Sequence, residues 1–112
     1  MTDLEGRLMA AVESATRLDY DAPGEAALAQ ARALLALLVE SDFETELVAF
    51  GIAADGAIAI STANGVRTAT VEIEPDGAVI SVVVTDEATR EVARVVTQPS
   101  LAEVARELER AA

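Results

Sequence analysis

Residues 47–85 read LVAFGIAADGAIAISTANGVRTATVEIEPDGAVISVVVT, apolar runs broken at Asp55-Gly56, Asn64-Gly65 and Pro75-Asp76-Gly77. Such dipeptides between strand-like runs are the strongest short-range hairpin signals. The stretch predicts four antiparallel strands over about 47–53, 57–62, 66–74 and 78–85. Opposed residues of an antiparallel pair share a face, so each turn implies a register. A two-residue Asn64-Gly65 turn opposes Ile60 with Ala69 and Ile58 with Val71. A turn about Asp76-Gly77 opposes Ile73 with Ile80, Val71 with Val82 and Ala69 with Val84. Pro75 lacks an N–H, which favours a slightly longer loop there.

At Asp55-Gly56 a three-residue loop with Gly56 left-handed opposes Ile58 with Ile52 and Ile60 with Phe50. That choice gathers Val48, Phe50, Ile52, Ile58, Ile60, Ala69, Val71, Ile73, Ile80, Val82 and Val84 on one apolar face. The other face carries Ala49, Gly51, Ala57, Ala59, Ser61, Thr68, Thr70, Glu72, Glu74, Val79, Ser81 and Val83. One side is core and the other is open.

Outward from the sheet, two helical stripes precede it. Leu4, Leu8, Ala11, Val12, Ala15 and Leu18 share a face of a helix over 2–19, opened by a Thr2/Glu5 capping box. A second helix over 23–40 turns Ala27, Leu28, Ala31, Leu34, Leu35 and Leu38 inward, with Asp21 as N-cap and Pro23 in its first turn. Leu37 and Val39 widen its apolar arc, making it the more buried of the two. After the meander, Val92, Val95 and Val96 suggest a fifth strand over 90–97. Ser100 and Glu103 form a capping box for a last helix, 100–111, with Leu101, Val104, Ala105 and Leu108 inward. Three amphipathic helices and one apolar sheet face satisfy each other in a single two-layer α+β domain, order ααββββ(β)α.

The 112 residues include 20 acids and 8 arginines, no lysine, no histidine and no cysteine, for a net charge of −12. The balance is −4 over 1–40, −6 over 41–85 and −2 over 86–112. Nucleic acid and anionic membranes are unfavourable partners, since both require a positive footprint. No apolar run approaches the ~18 residues of a membrane span, and the acidic start MTDLEGRL lacks a signal-peptide layout. A cytoplasmic protein is expected. Many acids, no lysine, abundant Ala, Val and Thr and few aromatics resemble the composition of proteins from salt-in halophilic archaea. In molar salt, charges are screened within ~3 Å. Acidity then reports the solvent rather than a basic target, which is the competing explanation.

The missing residue types restrict chemistry. Without His or Cys there is no Ser-His-Asp triad, no ordinary zinc site and no neutral-pH imidazole base. Without Lys there is no P-loop or Schiff base. No cofactor and no metal are expected. Asp42, Glu44 and Glu46 alternate along the connector and could ligate a hard cation, but a solvated connector is the simpler reading. Glu72 and Glu74 stand two apart, near a hydrolase acid pair, with nothing to raise one pKa. Tyr20 is expected to pack its ring beside the helix break, Arg67 to pair with neighbouring acids, and Arg90 and Arg94 to neutralise acids such as Glu72 or Glu91.

The open face is therefore the candidate site. Thr68, Thr70, Glu72, Glu74, Val79, Ser81 and Val83 form a flat, partly apolar surface suited to a protein partner or a second copy. A non-enzymatic interaction module is expected. The alternatives are a small-ligand domain using carboxylates and Tyr20 between helices and sheet, and an antitoxin-like inhibitor presenting Glu46, Glu72 and Glu74 to a basic target. Strand one, LVAFGIA, carries no charge. As an edge it would need a covering helix, a central position or a dimer to prevent strand addition.

Overall fold

The computed structural model describes residues 4–41 and 47–111. Helices α1 (Leu4–Arg17) and α2 (Glu25–Glu40) precede strands β1 (Ala49–Ile52), β2 (Ile58–Ala63), β3 (Arg67–Ile73), β4 (Val79–Asp86) and β5 (Val92–Thr97), and α3 (Leu101–Arg110) ends the chain. The strands form one antiparallel sheet in sequential order, leaving β1 and β5 as edges. This is the expected α+β meander, with the fifth strand present.

One buried cluster joins Leu4 and Leu8 of α1, Ala27, Ala31, Leu34, Leu35 and Leu38 of α2, and Val104, Ala105 and Leu108 of α3 to Ile58, Ile60, Ala69, Val71, Ile73, Val82 and Val84. α2 is the more buried helix of the two through its Ala27, Ala31, Leu34, Leu35 and Leu38 stripe, whereas Leu37 is only partly buried and Val39 is 48% exposed, so the arc is not widened as expected. Leu18, expected inward, is 65% exposed because α1 ends at Arg17 and Asp19 turns the chain at φ 61°. The Thr2 part of the first capping box and the acids 42, 44 and 46 lie outside the described residues.

The β1–β2 register is the expected one, Phe50 opposite Ile60 and Ile52 opposite Ile58. Two other turns differ, for identifiable reasons. Asn64 Oδ1 accepts from the amides of Val66 and Arg67 at 2.9 Å, and Asn64 N donates to Arg67 O at 3.2 Å. The side chain mimics backbone and draws four residues into the loop rather than two. Ile60 consequently opposes Val71 and Ile58 opposes Ile73. The shift is even, so every side chain keeps its face.

The second difference does change faces. Glu74 N donates to Ala78 O at 2.9 Å, which makes Pro75-Asp76-Gly77 a three-residue loop with Gly77 at φ 89°. Ile73 therefore opposes Val79, and a bulge restores Val71 opposite Val82. Two β4 residues face one β3 residue there. Val79 packs against the core and Ile80 is 57% exposed, the reverse of the uninterrupted register. Ala57 is likewise buried, not on the open face.

Asp21 is not the N-cap of α2; Gly24 is, with extended φ −70° and no side-chain cap. The Asp21 amide instead donates to Ala54 O at 2.9 Å, tying the α1–α2 connector to the β1–β2 loop. A Cβ on Gly24 would lie 3.1 Å from Pro75 O, so the β3–β4 loop also packs here. Position 24 is selected for close approach over capping. Ser100, by contrast, caps α3 in the expected box with Glu103.

Candidate functional site: the open sheet face

β2 to β5 place three cross-strand rows on the side away from the helices. One runs Ser61, Thr70, Val83, Val95; a second Ala63, Thr68, Thr85, Val92; a third includes Ser81 and Thr97. The bulge adds Ile80. Val95 is 49% exposed and Val92 59%, so with Ile80 and half-buried Val83 they make an apolar patch on this surface. Thr68 Oγ1 donates to Glu87 Oε1 at 2.7 Å, fixing the margin of the face.

Of the expected site residues, Thr68, Thr70, Glu72, Ser81 and Val83 share this face. Val79 does not, because the three-residue loop turns it to the core. Glu74 lies beyond the end of β3, in the turn that its own backbone closes. Glu72 is therefore the acid within the rows, and Glu87 borders them. Ile80 was hidden from sequence reading by the bulge. Val92 and Val95 were visible as β-branched residues, but no turn residue between β4 and β5 specified their register.

The edges are managed differently. α1 runs beside β1, where an Arg7 guanidinium N–H donates to Val48 O and the guanidinium carbon lies 5.8 Å from the Phe50 ring centroid. That is the covering-helix solution. On β5, Arg94 points inward to pair with Glu107 of α3, an arrangement that discourages strand addition. Arg94 therefore does not neutralise Glu72 or Glu91. Arg67 has no ion-pair partner among the described residues, contrary to its expected pairing.

Tyr20 lines a groove of about 310 Å³ with Ala11, Leu18, Phe50 and Ile52 and no carboxylate. Among the described residues no group of three or more acids could hold a metal ion. No described helix is long and apolar enough to cross a membrane. No protein-family model matches the chain, and comparison with curated proteins and with solved structures finds no match either.

Proposed function

We propose that the chain is a cytoplasmic, non-enzymatic interaction module whose open sheet face docks a protein surface, a second copy of itself being the simplest occupant. The observation that carries this reading is the patch of exposed Ile80, Val92 and Val95 around half-buried Val83, among uncharged Thr and Ser side chains. On a chain of net charge −12, like-charge repulsion opposes self-contact almost everywhere. The rows hold one acid, Glu72, so repulsion is weakest there.

Five strands about 4.8 Å apart and about six residues long make a face of roughly 400 Å². A standard interface takes about 800 Å² per partner. Association through this face alone is accordingly transient.

Light scattering at low and high KCl tests the proposal. Mass should rise with protein concentration, more steeply at high salt, where repulsion is screened. The double substitution V83K/V95K should abolish the rise while leaving the circular dichroism unchanged. A chain that is monomeric under both conditions, and retains no partner from native lysate, would contradict it. Docking through acidic residues to a basic target has the opposite salt dependence, weakening as KCl rises.

A further inference from the structure

The second feature of the surface is positive. Arg67, Arg94 and Arg110, three of eight arginines, line one cavity of about 270 Å³ with Val84, Ala93, Glu107 and Ala111. Glu107 is the sole acid in that lining. It is nearly buried, with 10% of its side chain exposed, and Oε2 accepts from Arg94 and, at 3.4 Å, from Arg110. The shared carboxylate holds two guanidinium groups at the rim, each about half exposed.

Arg67 enters from β3 and meets no acid within ion-pairing distance among the described residues. Its cross-strand neighbour is Asp86, whose Oδ1 accepts from the amides of Ala88 and Thr89 at 2.9 and 3.2 Å. In a chain with 20 acids, an arginine left unpaired beside two others is a local reversal of charge. The end of α3 opposes it with about half a negative charge. Three guanidinium groups against one carboxylate and that dipole leave about +1.5 in the lining.

We propose that this cavity binds a small dianionic oxyanion, a phosphate or a dicarboxylate. Guanidinium forks match the paired oxygens of both. At about 30 Å³ per water the volume holds roughly nine waters, room for such a group and its substituent. Arg67 makes the contact that no described acid takes, and Arg94 and Arg110, positioned by Glu107, close the other sides. This site is separate from the docking face and stands whether or not that face is occupied.

Amide chemical-shift titrations of the whole chain at low salt test it, with inorganic phosphate in one arm, malonate in another and KCl at matched ionic strength as the reference. Saturable shifts are expected at Val84, Ala93, Arg94, Glu107 and Ala111. Saturation by one probe alone assigns the ligand class, and saturation by both assigns a general oxyanion site. R67Q, at an exposed position, should weaken binding about fivefold or more, the loss of a charge-assisted contact. R110Q should weaken it as well, and R17Q should not. Shifts that match the KCl reference, shifts scattered over every arginine, or equal affinity in R67Q and R17Q would overturn the proposal.

Discussion

Gly56 and Gly77 show how single residues set the architecture. Both have φ near +90°, and a Cβ would lie 2.9 Å from Ala22 O at Gly56 and 3.0 Å from Ala26 O at Gly77. Gly65 has φ 86° but open space around it. All three should resist alanine through backbone strain of about 1–2 kcal/mol. G56A and G77A should cost more than G65A, because rigid backbone must also move. Urea midpoints of the three variants check this order, and equal losses would show that loop docking on the α1–α2 connector and the first turn of α2 contributes nothing. Thr62 makes a comparable single-residue link. Its buried Oγ1 donates at 2.5 Å to Leu108 O, one of the carbonyls left without a helical partner at the end of α3. T62V keeps the shape and orphans the carbonyl, with an expected loss of about 1–3 kcal/mol in denaturant unfolding.

Among the elements, α3 has a stability tied to pH through its capping box. The Ser100 backbone and side chain hydrogen-bond to Glu103, and these bonds, with Arg106 nearby, hold its carboxyl below the ordinary glutamate range. A depressed folded-state pKa contributes stability that is present above the unfolded value and lost as pH falls through the folded one. Wild type should therefore lose thermal stability on acidification below the ordinary glutamate range more steeply than E103Q, as melting curves between neutral and acidic pH would show. Parallel curves would mean the capping box is not formed in solution. S100A should cost about 1 kcal/mol at neutral pH. The elements themselves were largely legible: period 3.6 gave the helices, alternation gave the strands, and the Ser100/Glu103 box marked where α3 begins. What escaped was local loop geometry. Asn64 lengthened one turn by two residues and kept the faces, whereas Pro75-Asp76-Gly77 lengthened another by one and exchanged Val79 for Ile80. Pattern reading senses parity, so an odd insertion repaired by a bulge leaves no trace in alternation. The Glu107–Arg94 pair was equally hidden, because it depends on α3 crossing β5 and no spacing encodes that.

Taken whole, the molecule separates its chemistry by surface. Helices cover one side of the sheet, and in a chain with 20 acids against 8 arginines two regions of the described structure are poor in acids: the near-neutral face of β2–β5 and the arginine-lined cavity between β3, β5 and α3. Within the candidate site, five of seven expected residues lie together, and the apolar weight comes from three others, Ile80, Val92 and Val95. Placing them required the register of β4 against both neighbours. The docking role of this face is tested most directly by recording amide chemical shifts through a dilution series in molar KCl. Concentration-dependent shifts should cluster at Thr70, Ile80, Ser81, Val83, Val92, Val95 and Thr97 and spare the outer helix surfaces. Shifts absent throughout the series, or gathered on α1 and α2 instead, would contradict it.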